Sequence, residues 1–600
     1  MMTSTPEVLQ HDADRHRDGK PRFVRSAHTR RHRLDVATLL LCYALAPGAS
    51  AQIAQMSSVR DPEILRQQER ERALREQQER TPDVRLRMDE PDGTGKRLPV
   101  AEEPCFLIDD IVFDGATSDF AWALDYADRV DDGDGDIDRA RGRCLGSTAI
   151  NLVMKRVQNA IIARGFITTR VLAPPQDLRS GVLRLTIVPG RIRAVRFSAD
   201  SDARANAGNA LAFKPGDLLN LRDVEQTLEN FKRLPSVDAS IEIVAGEAPG
   251  ESDLLITWKQ AFPLRLTLAA DNGGSPATGQ YLGNVTISAD NPLGVNDLFY
   301  ANFNHDLDGD STGRGTQGYT AHYSLPFGDW LLAATGNANR YHQSVAGLNQ
   351  TYIYGGTNSS QEIKLSRLIQ RDATSRTWAS LRAYLNTSNY RIDDTEIEVQ
   401  RRRMAGWEAA FEHRAFVAGS TLDLLLSYRR GTGAFGALPA PEEAFGEGAS
   451  HPIVVSADAQ LLIPFSLANL PLRYAGRWRA QWNGTPLIVQ DRFSIGGRYT
   501  VRGFDGNQVL MADRGWFWRN DVGLPLGDEL PEVYAGIDFG EVGGQSAELL
   551  VGRRLCGAVF GLRGNYRRLA YDVFAGVPID KPAGFETARV AAGFSLALSF

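Results

Sequence analysis

Leu472-Arg473-Tyr474-Ala475-Gly476-Arg477-Trp478-Arg479-Ala480-Gln481-Trp482 puts its apolar and aromatic side chains at even positions and mostly arginine or glutamine at odd ones. Successive strand residues point to opposite faces, so the stretch reads as a strand with one apolar and one cationic face. The same period recurs on both sides of it. Leu264, Leu266 and Leu268 alternate with Arg265, Thr267 and Ala269; Trp407, Ala409 and Phe411 alternate with Glu408, Ala410 and Glu412. The chain ends on Val590, Ala592, Phe594, Leu596, Leu598 and Phe600, set against Arg589, Ala591, Ser595 and Ser599. A water-soluble sandwich also alternates. Here the pattern fills the last 340 or so residues, enough for about sixteen strands, and the aromatics sit on the apolar side near strand ends. In lipid every backbone polar group must pair within the protein, so these strands are expected to close into a transmembrane barrel over residues 261–600.

Averaged scales hide such a barrel. Hydrophobic residues make up 43% of 600, and mean hydropathy is −0.27. No apolar run of about 20 residues marks a membrane helix in the mature part. A net charge of −6 gives no basic excess, so nucleic acid is not an expected partner. Near the start, Arg30, Arg31 and Arg33 precede the apolar stretch Val36 to Leu45 and an Ala49-Ser50-Ala51 ending. These are the parts of a secretory signal peptide, assigned to residues 1–51.

Between signal and barrel lie four further segments. Residues 52–81 contain a helix polar on nearly every side, with Ile64, Leu65, Ala73 and Leu74 as its few apolar members and Asp61 placed to cap it. Such a helix is a solvated spacer or sits in a polar cavity. Residues 82–103, with Pro82, Pro91, Gly93, Gly95 and Pro99, read as a linker. From Cys105 a strand–helix–strand–strand pattern unfolds. Ser147 is the expected cap of a helix carrying Ile150, Val153, Met154, Val157, Ile161 and Ile162. The pattern repeats with a helix from Leu221 to Leu234, giving two small α+β domains at 104–190 and 191–260. In an oxidising compartment Cys105 and Cys144 either pair or remain two separately buried thiols.

Two small α+β domains ahead of a long barrel resemble the outer-membrane transporters of two-partner secretion, the TpsB family of the Omp85 superfamily. The family's V-R-G-[YF] motif stands here as Val501-Arg502-Gly503-Phe504 after Ile495-Gly496-Gly497, and its later strand motif as Gly536-Ile537-Asp538-Phe539-Gly540. Pro104-Cys105-Phe106, Cys144-Leu145-Gly146, Gln176-Asp177-Leu178 and Pro189-Gly190-Arg191-Ile192 extend the likeness into the first α+β domain. The resemblance implies two POTRA domains that capture an unfolded exoprotein in the periplasm, a plug helix near residue 70, and a pore loop. Arg502 on that loop is expected to reach Asp538, which strand parity turns inward. Gly503 would permit the tight backbone, and Phe600 would be the C-terminal residue that marks the chain for barrel assembly.

The expected partners are a large exoprotein (haemolysin, adhesin or contact-dependent toxin), outer-membrane lipid, and the machinery that inserts barrels. Arg473, Arg477 and Arg479 would coat a hydrated pore. Substrate is expected to add to POTRA 2 in a groove between its helix (Arg222 to Leu234) and edge strand. No cofactor, catalytic or metal site is expected. The acidic runs Asp132-Asp134-Asp136 and Asp306-Asp308-Asp310 lack the glycine a calcium loop needs. A barrel-assembly factor of the same superfamily is the alternative; a small-solute porin and an enzyme barrel stand further off.

Overall fold

The computed structural model describes residues 61–79, 82–86, 96–114, 118–130, 137–309, 313–527 and 530–600. The signal-peptide reading, the acidic run at 132–136 and Asp310 lie outside the described residues.

Sixteen long antiparallel strands, from Leu264–Asp271 to Ala591–Ser599, form a closed ring, with Thr395–Glu396 adding a short extra pairing. The last strand pairs with the first, Ser595 opposite Asp271 and Ser599 opposite Thr267. Phe600 extends the seam, its amide donating to the Leu266 carbonyl at 2.9 Å. Closure leaves no edge strand to meet hydrocarbon unpaired. Phe411, Trp482, Trp518, Ile537, Phe539 and Phe560 stand exposed on the outer wall. That band suits lipid and would be costly in water. No described helix is long and apolar enough to cross a membrane.

Strand connections are short at one end, as at Gly328-Asp329 and Ala418-Gly419, and long at the other, as in loop 484–513. The two α+β units sit at the short-turn end. In the first, strand Asp110–Asp114 runs parallel to Val182–Val188, which pairs antiparallel with Arg170–Leu172. Helix α2 (Ser147–Ala163; α1 is Asp61–Gln78) lays Val153, Val157 and Ile161 against Ile108, Ile111, Leu183 and Leu185, all essentially inaccessible to solvent. The second unit repeats that topology. Arg191–Phe197 is parallel to Glu251–Gln260, which pairs antiparallel with Val237–Ala245, and helix α3 (Leu221–Lys232) packs beneath.

Ser147 is not the cap of α2. It is the first helical residue, and its neighbour Gly146 offers no side chain. The carboxylate of Glu102, from the preceding segment, accepts the amides of Gly146, Thr148 and Ala149 at 2.9, 2.9 and 3.0 Å. The Thr148 hydroxyl and these amides hold its carboxyl below the usual range. An anion from outside the helix thus does what a local serine would do. Beside it Cys105 and Cys144 form a disulfide, across the pairing of Leu107 with Cys144. Helix α3 does take a local cap, since Asn220 accepts the Arg222 amide at 2.9 Å.

The groove expected between α3 and its edge strand is not open along the helix. One face of α3 sends Val224, Leu228 and Phe231 into the core of this second unit. The other face is buried against the barrel: Glu229 pairs with both Arg371 and Arg376, and Asn230 donates to the Gly328 carbonyl at 2.8 Å. Polar residues on that face recognise barrel turns, which the apolar period alone does not reveal.

Candidate functional site in the barrel lumen

Two elements fill the lumen, a helix and a folded loop. Helix α1 is built of strong helix formers, chiefly Glu, Arg, Gln, Ala and Leu. Glu69–Arg72 (2.7 Å) and Glu63–Arg70 (2.9 Å) pair along it. Ile64 alone packs on an aromatic cluster, Tyr341, Tyr354 and Tyr390. The rest meets a polar wall. Glu69 accepts from Arg479 at 2.9 Å, Glu76 from Arg477 at 2.7 Å, and Arg75 donates to Glu362 at 2.6 Å. Asn337 donates to Glu71 at 2.9 Å and Thr278 to Glu63 at 2.9 Å. The helix therefore touches strands on opposite sides of the barrel and blocks its middle. A polar cavity of about 1080 Å³ remains beside it, with Arg382, Glu408 and Asp458 in its wall.

Each of the three inward arginines on strand Leu470–Asn483 has a partner. Arg477 and Arg479 hold α1 and also Asp458, while Arg473 pairs with Glu532. On the helix side, Glu69 and Glu76 reach this wall. Arg70 turns instead to Glu63 and Gln67, and Arg72 to Glu69.

Loop 484–513 enters from the long-loop end. Its stem is a small hairpin, Phe493–Ile495 against Leu510–Ala512. Val501, Phe504, Phe517, Leu555 and Phe585 cluster around it, Phe504 and Phe585 meeting edge to face at 5.7 Å. At the tip Arg502 is 2% exposed and Asp538 is fully buried. Arg502 Nε and Nη2 donate to Asp538 Oδ2 and Oδ1 at 2.7 and 2.9 Å. The Arg502 amide donates to the same carboxylate at 3.0 Å. Asp521 takes the outer edge of the guanidinium, at 2.5 Å from Nη2 and 3.3 Å from Nη1. Asp521 also meets Arg563 at 3.3 Å, and Arg563 meets Glu532 at 2.5 Å, so the tip joins a ladder of charge on the wall.

The tip lands on bare backbone. Gly503 has φ +99°, a left-handed conformation that glycine alone adopts freely. Side chains on the facing strands would collide with it: a Cβ at Gly557 would lie 1.9 Å from the Arg502 carbonyl oxygen, and one at Gly576 would lie 2.9 Å from Gly503 Cα. A Cβ at Gly540 would lie 2.7 Å from Val501, and one at Gly536 2.5 Å from Asp521. The loop also touches the helix, since Arg66 donates to the Gly506 carbonyl at 3.4 Å.

Sequence reasoning named Arg502, Asp538, Gly536 and Gly540 and missed Asp521, Gly557 and Gly576. Asp521 was open to the parity argument used for Asp538: Trp516, Trp518 and Val522 face outward, which turns Asp521 in. The glycines carry no such signal, because only contact across strands gives them meaning. Asp306 and Asp308 accept the Thr316 amide and the Gln280 amide respectively, and among the described residues no group of His, Cys, Asp and Glu is arranged to hold a metal.

This arrangement recurs in known proteins. The profile of the haemolysin secretion/activation proteins ShlB/FhaC/HecB matches residues 250–564, and POTRA profiles match 128–190 and 191–245. The outer membrane transporter CdiB-2 of Burkholderia pseudomallei is 36% identical over 577 residues, 92% of this chain and 96% of that protein. The hemolysin transporter protein HpmB of Proteus mirabilis is 25% identical, over 67% of this chain and 71% of its own. The solved structure of CdiB from Acinetobacter baumannii superposes with a TM-score of 0.75 at 28% identity, over 90% of this chain and 99% of that one. A plugged sixteen-strand barrel behind two POTRA domains, matched over more than half its length by one family, places the chain among the ShlB/FhaC/HecB haemolysin secretion/activation proteins, the outer-membrane transporters of two-partner secretion.

Proposed function

We propose that the protein is the secretion pore of one large exoprotein, of the haemolysin, adhesin or contact-dependent toxin kind, captured unfolded by its POTRA domains and passed through the barrel to the cell surface. It acts by binding and threading, with no catalytic step. Its working parts are the plug helix within 52–81, the POTRA domains at 104–190 and 191–260, and the barrel at 261–600. Its further partners are outer-membrane lipid and the barrel-assembly machinery that inserts it.

The observation that carries this reading is how the lumen is closed. Among the described residues helix α1 buries only Ile64 and Leu65 as apolar anchors, and it is otherwise held by ion pairs and hydrogen bonds to the wall. Such pairs exchange readily for water, because desolvation cancels most of their attraction. The plug is therefore cheap to remove, and the wall it leaves is charged and hydrated, to which an unfolded chain adheres little. The Arg502 tip, with two carboxylates and a glycine floor, supports the opposite role of a fixed support. In that role Val501, Arg502, Gly503 and Phe504 hold the loop against Gly536, Asp538 and Gly540.

The test is export of a co-expressed candidate exoprotein of the haemolysin, adhesin or contact-dependent toxin kind, in cells carrying the full protein or a form lacking residues 104–260. Export should vanish with the POTRA domains while the barrel remains in the outer membrane. A purified protein that inserts other barrels into liposomes and exports nothing would favour the assembly-factor reading.

A further inference from the structure

We propose that residues Pro82–Leu86 are a displaceable strap: they occupy a groove on POTRA 2 that an extended exoprotein segment fits, and their release is what frees the plug. The proposal rests on the export reading above and adds its trigger.

The strap runs extended, with Val84 buried and Leu86 half-buried among POTRA 2 core residues, while Asp83 and Arg85 point outward. Val84 joins a cluster that includes Ile192, Val224 and Leu228, so the core of this domain is incomplete without a guest from outside it. Two contacts tie it to its surroundings, one to the POTRA helix and one, through a guanidinium held by Asp83, to the barrel. The Leu86 amide donates to Glu225 Oε1 at 2.9 Å. Asp83 holds the Arg85 guanidinium at 2.6 and 2.8 Å, and that guanidinium lies 3.5 Å over the Phe416 ring on a barrel turn. Glu225 is fully buried, and its second oxygen accepts no hydrogen bond among the described residues. The groove thus asks for an extended chain with apolar side chains two residues apart and a backbone N–H for Glu225, and it holds an acceptor its present occupant does not use. Any unfolded exoprotein segment with that alternation meets the requirement.

Chain length ties this groove to the pore. Helix α1 points its last residues at the POTRA end, where Gln78 accepts from Ser288 and Glu79 accepts from Tyr300. Its first turn is at the far end, where Glu63 meets Thr278. Eighteen residues make a helix about 27 Å long. From Glu79 to Pro82 the chain reaches at most about 10 Å. With the whole strap seated, from Pro82 onward, the helix end can therefore travel no more than about 20 Å, twice that reach and short of the helix's own length. A segment that takes the groove removes that restraint.

The full-length protein tests this in planar bilayers. Val84→Asp should raise the fraction of time the pore is open by about tenfold or more, the factor expected from unseating one buried valine. Arg85→Ala should give a smaller rise. A fluorescein-labelled peptide carrying residues 80–90 should bind detergent-solubilised Val84→Asp protein at least about tenfold more tightly than wild type, and Glu225→Ala should weaken it. Leu86→Asp serves if Val84→Asp loses the heat-modifiable mobility of a folded barrel. Wild-type conductance in both variants, or equal peptide binding to variant and wild type, overturns the strap. If the variants open and bind peptide but cells export no partner, the strap stands and the export reading falls.

Discussion

The guanidinium of Arg502 lies between two carboxylates, Asp538 along one edge at 2.7 and 2.9 Å and Asp521 along the other at 2.5 Å, in a site from which water is almost wholly excluded. One cation with two anions makes a closed clamp whose geometry is set by the planar fork. Asp538 spends a further lone pair on the Arg502 backbone amide, so it holds the main chain of the loop as well as its side chain.

Removing the cation strands two buried anions. Arg502→Ala should cost the loop anchor about 3–5 kcal/mol and release the tip. Secretion should drop sharply while barrel abundance in the outer membrane stays near wild type, as read by exoprotein in the medium against heat-modifiable barrel on gels. Arg502→Lys should not restore secretion, because an ammonium cannot bridge both carboxylates. Normal export by Arg502→Ala would remove the clamp from the mechanism.

The glycine floor predicts a defect from a single methyl group. Gly557→Ala puts a Cβ 1.9 Å from the Arg502 carbonyl oxygen, closer than any non-bonded contact allows. The strand pairs with both neighbours here, across a bulge on one side, whereas the loop tip is held by side chains, so the loop yields first. Its secretion should resemble that of Arg502→Ala, and protease added outside the cell should cleave loop 484–513 faster than in wild type. Unchanged cleavage together with unchanged secretion would mean that the tip tolerates displacement.

Much of this was legible in the sequence because period-two alternation is a direct record of two solvents. Leu472 and Trp482 face one way and Arg473 and Arg479 the other, and that sufficed for a barrel and for turning Asp538 inward. What stayed hidden depends on contacts between segments far apart in the chain. Glu102 caps α2 from forty-odd residues away. The polar face of α3 looks solvated in sequence and is in fact buried on barrel turns through Glu229 and Asn230. Val84, one apolar residue in a proline-containing linker, gave no hint of lying in another domain's core. Local pattern names the faces; only the fold names their partners.

The Cys105–Cys144 bond closes a loop with a sequence separation of 39 in a small domain. Constraining the unfolded chain in this way contributes about 2–4 kcal/mol. A Cys105→Ser, Cys144→Ser protein should show a lower urea midpoint for POTRA 1, followed by protease resistance of that domain, with the barrel's own resistance unchanged. Equal midpoints would show that Glu102 and the core suffice without the bond.

Charge on the plug should be exchangeable with charge on the wall. Glu69 and Glu76 lie at 2.9 and 2.7 Å from Arg479 and Arg477. Reversing the helix pair (Glu69→Arg with Glu76→Arg) sets like charges together and should raise single-channel open time severalfold. Adding Arg477→Glu and Arg479→Glu should lower it again. Asp458, which also faces both arginines, would then oppose the new glutamates, so recovery should be partial. A reversal that leaves conductance at wild type would show that these pairs do not retain the helix.

The junction between POTRA 2 and the barrel carries a pH dependence of its own. Asp223, in the first turn of α3, is pushed up to about 7 by burial and then by the nearby carboxylates of Asp329 and Asp217, with Arg371 opposing. An aspartate in the unfolded chain ionises near pH 4. Between these values the folded protein keeps a proton that the unfolded chain has given up, so stability present below about pH 4 is lost as pH rises toward about 7. The junction should accordingly be more resistant to proteolysis at about pH 5 than at about pH 7.5, once protease activity is normalised on an unfolded substrate. Asp223→Asn carries no charge to bury and should flatten that difference, gaining most at the higher pH. The quantity read is the contrast between wild type and variant. Identical pH profiles for the two proteins would rule Asp223 out as the group responsible.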